Sequence, residues 1–356
     1  MKEHKKLTIL CTAKMGHGTF EAKFIPLLQL EKIGKIIVVR KDEGPEISKL
    51  EYRILPRICK SKYFNLVLTP LILLYYALKE KPDFILAYHY QPHFYFGYLV
   101  AKLISKPLVV GQTGTDAQNV ANKPFKGSLL RYILKRVYSF NVPGKSTYDF
   151  WLNKGVSSHN LRVLHSTINT ELFVPCNSKK EYDFIFVGRL TEVKRIDKII
   201  KAVAKLRNEY PNLKICIVGS GHLESELKEL AKSKNVLDNF DFVGLQSDIQ
   251  YWLSRATAFL MTSDSEGLPC AMMEAMSSGL ICIGPDVNNM RDLLVEAETG
   301  FLFKTNNVDE LTNKMKHVTD NLEKLDKIRI NARELIVAEH SYKSAKDKWK
   351  KVLDRL

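Results

Sequence analysis

A chain of 356 residues that is 45% hydrophobic and carries a net charge of +15 is long enough for two domains, each with a packed core of its own. Its six cysteines (Cys11, Cys59, Cys176, Cys216, Cys270, Cys282) form no C-x-x-C pair and fall mostly in apolar runs, which argues against a zinc site or a disulfide framework and for a reducing cytoplasm. The N-terminus lacks a signal-peptide pattern, and the longest apolar tract, residues 64–78, is shorter than the roughly 18 residues that span a bilayer, so no transmembrane helix is expected.

The first half alternates strand-like runs at 7–13, 35–40, 84–89 and 108–113 with longer helical segments, the pattern of a parallel, doubly wound sheet. Directly after the first strand comes Ala13-Lys14-Met15-Gly16-His17-Gly18-Thr19-Phe20-Glu21. Its glycines would bring backbone amides close to a phosphate or sugar, although an ordinary strand-to-helix turn uses the same residues. The tract 64–78 reads as a buried helix or as an apolar surface element. A run at 161–168 leads into the polar stretch 174–180, the expected linker, which divides the chain into domains 1–176 and 177–340.

The alternation then restarts, with strands at 183–187, 213–218, 241–243, 256–262, 280–284 and 300–303 separated by helical segments. This is a second doubly wound domain, and a ligand is expected in a cleft facing the carboxyl ends of the strands. The last segment, 341–356, has six Lys/Arg against two Asp and reads as a helix, either solvated or packed back on the first domain. Charge is unevenly spread: residues 1–180 hold 28 Lys/Arg against 12 Asp/Glu, and residues 181–356 hold 26 against 27. Such asymmetry suits an anionic membrane surface, a polyanion or a nucleic acid.

Three strand ends in the second half carry candidate chemistry. In "FVGRLTEVK", Arg189 and Lys194 follow a strand; a bidentate guanidinium and a point charge together suit a diphosphate, while two surface cations are the plain alternative. In "IVGSG", glycines after a strand permit close approach of a ligand, or simply a tight turn. In "SDSEGLPCAMMEAM", Ser263 and Glu266 have capping-box spacing, but Pro269 pushes Leu268 out of the helical region and favours a helix starting near itself. Glu266 then projects from the loop, Gly267, Leu268 and Pro269 lead into an anion-favouring helix start, and Glu274 sits about one turn further on. A carboxylate there would accept both hydroxyls of a ribose, or serve only as a helix-dipole partner. Acceptor, anion site and acceptor in a line complement the ribose, diphosphate and sugar of a nucleotide-sugar.

The ordered set "FVGRLTEVK", "IVGSG", "FVG", "SDSEGLPCAMMEAMSSG" and "ETGFLF" resembles the retaining glycosyltransferases of the GT-B fold, family 4 type (glycosyl transferases group 1). The likeness is strongest over residues 182–303. "YHYQPHFYFGYLVAKLISKPLVVGQTGTD" and "LHSTINTELFVP" extend it through most of the chain. The resemblance implies two Rossmann-like domains facing across a cleft and no metal or other cofactor. Glu266 would lie beside the transferred sugar as the catalytic residue. The donor would be bound by Arg189, Lys194, Glu274, Gly267, Leu268 and Pro269, by the N-terminal glycine loop at Gly16 and Gly18, and by a base-pocket wall near Gly244 and Leu245. The acceptor-side positions are His17, His89, Thr113 and Asp116.

Several positions depart from the family pattern. Thr113-Gly114-Thr115-Asp116 stands where His-Gly-x-Asp is common, Arg195 replaces a glycine, Asn169 replaces an aspartate, and Asn288-Asn289 replace a glycine pair. His89 and His93 suit packed or surface positions as well as working ones. The expected function is transfer of a sugar, with retention, from a UDP- or GDP-linked donor to a hydroxyl of a lipid-linked or envelope-glycan acceptor. The basic first half would meet an anionic membrane at its cytoplasmic face, and nucleic acid is not an expected partner. A sugar-nucleotide 2-epimerase of the same fold and a basic nucleic-acid-binding protein are the alternatives.

Overall fold

The structure, a computed structural model, describes residues 6–114 and 116–356, without the side chains of His17, Lys60, Lys62, Tyr90, Gln91, Asp116 and Asn288. It contains two compact units, one made of residues up to Thr167 together with Tyr342–Leu356, the other of Ile168–Ser341.

The first unit is built on seven parallel strands: β1 (Leu7–Thr12), β2 (Ile33–Arg40), β3 (Leu50–Ile54), β4 (Phe84–Tyr88), β5 (Leu108–Gly111), β6 (Ser139–Val142) and β7 (Leu161–Val163). Their order in the sheet is β3-β2-β1-β4-β5-β6-β7. Helices cover both faces, so the central strands read as unbroken apolar runs; Ile36, Ile37, Val38 and Val39 are all fully buried. β3 escaped the sequence reading because "LEYRI" alternates charge with apolar residues, as a half-exposed edge strand does. β6 escaped it because it is only four residues long.

The second unit holds β8 (Tyr182–Val187), β9 (Ile215–Val218), β10 (Phe240–Gly244), β11 (Ala256–Leu260), β12 (Ile281–Pro285) and β13 (Phe301–Phe303), ordered β10-β9-β8-β11-β12-β13, again all parallel. Both sheets start in the middle, run outward in one direction and then resume on the other side of the first strand. The reversal, at β1/β4 and at β8/β11, opens a crevice at the carboxyl ends of the strands.

The division between the units falls after Thr167, not after Cys176. Ile168 donates its N–H to the His340 carbonyl at 2.9 Å and pairs with Ser341. Phe173 lies in the core of the second unit, where its carbonyl accepts from Ser277 Oγ at 2.6 Å and from Arg333 Nη1 at 2.9 Å. The terminal helix, Tyr342–Leu353, belongs to the first unit, burying Trp349, Val352 and Leu353 in the cluster that contains Phe20 and Phe24.

The apolar tract lies in the helix Lys62–Glu80, and it is not a buried helix. Thr69, Leu73 and Ala77, spaced four apart, face the core, whereas Tyr63, Phe64, Leu66, Val67, Leu71, Tyr75 and Leu78 are exposed.

Candidate functional site

Because β8 and β11 are neighbours in the second sheet, the loops that leave their carboxyl ends meet at the reversal. The β8 loop contains a short 3-10 turn, Glu192–Lys194, and feeds the helix Ile196–Leu206; the β11 loop feeds the helix Cys270–Ser277. Backbone and side chain tie them together: Asp264 N–H donates to the Val193 carbonyl at 2.9 Å, and Thr262 Oγ1 reaches the carbonyls of Lys194 and Arg195, both at 2.9 Å. The helix starts only after Pro269, as the proline required. Ser263 caps nothing, since its Oγ is buried without a partner.

Charge is matched across the two loops. Lys194 Nζ donates to Glu266 Oε1 at 2.6 Å, with both side chains largely shielded from solvent. Asp264 takes Lys198 at 2.7 Å and Arg195 at 3.0 Å, and Arg195 also reaches Asp197 at 2.9 Å. Burial pushes the Asp264 carboxyl up, but the hydrogen bonds from Lys198 and Arg195 outweigh it and hold it below the usual carboxylate range. Arg195 has φ = 51°, the left-handed region where glycine is the default residue. This chain places there an arginine held by two carboxylates. Lys198 and Asp264 escaped the sequence reading because charged residues at a helix start read as solvated. Yet Lys198 is 2% exposed.

Arg189 is different. It is exposed, and its side chain makes no hydrogen bond or ion pair among the described residues. Glu274, in the second turn of the helix Cys270–Ser277, likewise has no side-chain partner among them, and burial pushes its carboxyl up to about 7. Leu268 is buried, and the Gly267 carbonyl is held by Asn289 Nδ2 at 3.1 Å, one of the asparagines that replace the family's glycine pair. Gly244 closes β10 with φ = 71°, and Leu245 beyond it is 80% exposed.

The glycines of "IVGSG" answer to the protein itself. A Cβ on Gly219 would lie 1.9 Å from the Gly188 carbonyl oxygen, and one on Gly221 would lie 2.2 Å from that of Leu190. They are glycines because the β8 loop runs against them, with Leu190 N–H on the Ser220 carbonyl at 3.0 Å.

In the first unit, Gly16 and Gly18 follow β1 at the start of the helix His17–Leu28, while the side chains of His17 and Asp116 lie outside the described residues. His89 (φ = 76°) and Thr113 line one small apolar pocket at the ends of β4 and β5, with Phe94, Gln112, Ala117 and Phe140. Gln112 fixes this edge, accepting from Trp151 Nε1 at 2.8 Å and donating to the Gly114 carbonyl at 2.6 Å. His93 is a packed residue: it is buried and shares a 2.6 Å hydrogen bond with Thr12 Oγ1. Desolvation, then the fields of His89, Lys14, Lys41 and Arg40, push its pKa down to about 3. Among the described residues no group of three or more His, Cys, Asp or Glu side chains is arranged to hold a metal ion.

Comparison with known proteins places this geometry. Residues 169–335, nearly the whole second unit, match the family model described as Glycosyl transferases group 1. An uncharacterized glycosyltransferase of Haemophilus influenzae is 27% identical over 53% of this chain, and the match spans only about half, 54%, of that protein. The UDP-Gal:alpha-D-GlcNAc-diphosphoundecaprenol alpha-1,3-galactosyltransferase of Escherichia coli is 25% identical over 89% of this chain and 87% of its own length. Among solved structures, HepE of Anabaena in complex with UDP superposes with a TM-score of 0.82 at 15% identity, covering 99% of this chain and 100% of that one. Nearly the whole second unit is thus similar to the glycosyl transferases group 1 family, and the two parallel α/β units are those of the GT-B fold.

Proposed function

We propose that the chain is an enzyme that transfers a sugar, with retention at the anomeric carbon, from a nucleoside diphosphate sugar to a hydroxyl. The observation that carries this reading is the composition of the β8/β11 crevice. It offers an exposed, unpaired Arg189, a Lys194 held by Glu266, and a desolvated Glu274 with no hydrogen-bond donor of its own among the described residues. A ribose diol would supply Glu274 with donors. The diphosphate would compete with Glu266 for Lys194 and engage Arg189, which frees the Glu266 carboxylate for the hydroxyls of the sugar.

In the transfer step the bond from the anomeric carbon to the diphosphate oxygen breaks and the bond to the acceptor oxygen forms on the same face. The acceptor's proton passes to an oxygen of the leaving diphosphate. Arg189, Lys194 and the helix start at Gly267 to Pro269 would stabilise the charge that grows on that group, the kind of preorganised electrostatics that often dominates a barrier. Catalysis of this kind needs no histidine where Thr113 stands. The UDP-bound HepE and the UDP-galactose enzyme of E. coli favour uridine as the base.

For the acceptor we propose a lipid-linked glycan at an anionic membrane surface. No helix among the described residues is long and apolar enough to cross a membrane. The helices Lys62–Glu80, Tyr95–Leu103 and Pro124–Leu134 share one core cluster, yet they leave Val67, Leu71, Leu78, Leu103, Phe125 and Leu129 exposed. Residues 57–154 hold 14 Lys/Arg against 4 Asp/Glu. Apolar side chains interleaved with cations are what an interfacial surface needs.

A donor screen by thermal shift tests the enzymatic reading. A ligand at ~100 times its dissociation constant adds roughly 2.7 kcal/mol to the folded state. UDP and UDP-sugars are expected to raise the melting temperature of the wild type, and Glu274→Ala should remove the shift. No shift with any nucleotide, or an equal shift in the variant, would count against the site; epimer formation from donor alone would favour the epimerase.

A further inference from the structure

A polar cleft of the first unit opens at the amino ends of its strands, the end of the sheet away from the loops described above. It lies where β6 and β7 begin, against the end of the helix Tyr342–Leu353, and offers about 660 Å³ of space, within the range of small-molecule sites. Arg162, Arg355 and His159 line it together with Tyr138, Asn160 and Ser139, and no acidic residue among the described ones does. Asp354, next to Arg355 in the chain, is taken by Lys32 at 2.6 Å. Two guanidinium groups therefore share one space without a counter-charge among the described residues. Burial, then the field of Arg355, push the Arg162 guanidinium below its ordinary value, and both arginines act on the Tyr138 hydroxyl. Like charges gathered in a half-buried space cost stability, and that cost is what a bound anion would relieve.

The walls are held in place by the backbone. Arg162 Nη1 donates to the carbonyls of Ser158 and Leu161 at 3.2 and 2.9 Å, which leaves the Nε/Nη2 edge, one of the two bidentate edges of a guanidinium, with no hydrogen bond among the described residues. The loop before β7 is pinned as well: Asn160 Nδ2 donates to the Lys135 carbonyl at 3.0 Å, and the Asn160 carbonyl accepts from Phe140 N–H at 2.7 Å. Tyr138 Oη meets the Val352 carbonyl only at 3.4 Å, a long contact that a better acceptor would replace. On the floor, Ser139 Oγ donates to Asn141 Oδ1 at 2.9 Å, and Asn141 Nδ2 is buried with no partner. An adjoining cleft shares Val137 and Tyr138 and is lined by Lys102, Lys106 and Arg136, none of them in an ion pair among the described residues, so the positive field extends beyond the two arginines.

We propose that Arg162 and Arg355, with His159 and Tyr138, form a binding site for a phosphate group within the first unit. A phosphate offers enough oxygens to take the free edge of Arg162 and the head of Arg355 together and to accept from the Tyr138 hydroxyl. Two sources share this chemistry, a soluble phosphorylated compound and the headgroup of an anionic phospholipid. The site stands without the glycosyltransferase reading. Only the lipid source leans on the membrane surface proposed above, because the helix Tyr95–Leu103, which leaves Leu103 exposed, also supplies Lys102 to the adjoining cleft.

The test uses the full chain with excess UDP present, so that inorganic phosphate, the probe, does not report on a donor site. Wild type is compared with Arg355→Ala, Arg355→Glu, Arg162→Gln and Lys351→Glu, the last at an exposed position of the same helix that repeats the charge change outside the cleft. In NMR titrations phosphate should shift the His159 and Tyr138 ring resonances in the wild type and in Lys351→Glu. Arg355→Ala and Arg162→Gln should bind it about tenfold more weakly, the loss of one charge-assisted contact, and Arg355→Glu should not bind it. Arg355→Glu should also melt above the wild type, because it supplies the missing counter-charge, and UDP affinity should be the same in all five proteins. Unchanged phosphate affinity in Arg355→Glu overturns the site, as do ring resonances that do not respond in the wild type or an equal weakening in Lys351→Glu. An Arg355→Glu protein that melts below both wild type and Arg355→Ala overturns it too, since the cleft would then lack no counter-charge. Co-sedimentation with phosphatidylglycerol vesicles that falls in Arg355→Glu but not in Lys351→Glu assigns the site to a lipid headgroup. Co-sedimentation equal in the two variants, with free phosphate binding lost only in Arg355→Glu, assigns it to a soluble compound. UDP that fails to bind even the wild type would instead count against the functional reading and leave the phosphate site standing.

Discussion

Two sets of strand-end cations, one in each unit, handle charge in opposite ways. At the β8/β11 reversal each cation of the connecting turn has a carboxylate within hydrogen-bond distance, Lys194 on Glu266 and Arg195 and Lys198 on Asp264; only Arg189 stands apart. At the ends of β1 and β2, Lys14, Arg40 and Lys41 have no carboxylate partner among the described residues. The paired crevice is a mechanism at rest, in which a substrate must exchange contacts with groups already satisfied. The unpaired one is a standing field that favours any anion.

The largest effect expected from breaking the paired side is on turnover. Lys194→Met removes a cation from the leaving group and the ion pair to Glu266, and Glu266→Gln removes the carboxylate beside the sugar. Each should lower kcat about 100-fold, the scale seen when a preorganised charge-stabilising group is lost, with a much smaller change in donor affinity. Rates within a factor of two of wild type in steady-state assays would remove both residues from the mechanism. Next is the membrane surface: Val67→Asp combined with Leu71→Asp should abolish co-sedimentation with anionic vesicles while leaving UDP binding intact. Retained co-sedimentation would place docking elsewhere.

Glu274 sharpens the comparison through pH. Its folded-state pKa of about 7 lies above the ordinary carboxylate value, so the folded protein binds this proton more tightly than the unfolded chain does. Stability from this group is therefore greatest below the ordinary value and falls as pH rises to 7, by roughly 3 kcal/mol in total. A ribose diol donates to the ionised form, so UDP affinity should rise about tenfold from pH 5.5 to 7 and then level off, and Glu274→Gln should flatten that part of the profile. An unchanged profile in the variant would disconnect Glu274 from the ribose. The smallest effect concerns Arg195→Gly, which relieves a left-handed backbone but loses the ion pairs to Asp197 and Asp264. These terms nearly cancel, and the unfolding free energy should change by less than about 1 kcal/mol; a loss of several would show that the arginine organises both loops.

Much of this is legible in the sequence alone, and for a physical reason. Buried parallel strands and glycine- or proline-marked strand ends are written into local sequence, which is why β8, β9, β11 and the start of the helix after Pro269 stand where the residues indicate. What the chain does not write locally is partnership. Nothing in "VVRKD" distinguishes the buried Arg40 from the half-buried Lys41 beside it, and nothing marks Lys198 as buried or Asn289 as the group that fixes the Gly267 carbonyl. The glycines show the same limit from the other side: "GHG" and "GSG" look alike, but only the second pair is pressed against backbone. The helix Lys62–Glu80 was ambiguous because both of its faces are apolar, and only its neighbours decide which one is covered.

The return of the chain to the first unit at Tyr342 bears on how the protein is made. Domains tend to fold in order as they leave the ribosome, but Trp349, 1% exposed in the first core, is synthesised after all of Ile168–Ser341. The first unit therefore waits for its last helix with Phe20 and Phe24 incompletely covered, while the second, a single continuous segment whose ends pair at Ile168 and Ser341, closes on its own. During synthesis the later unit is the first to finish.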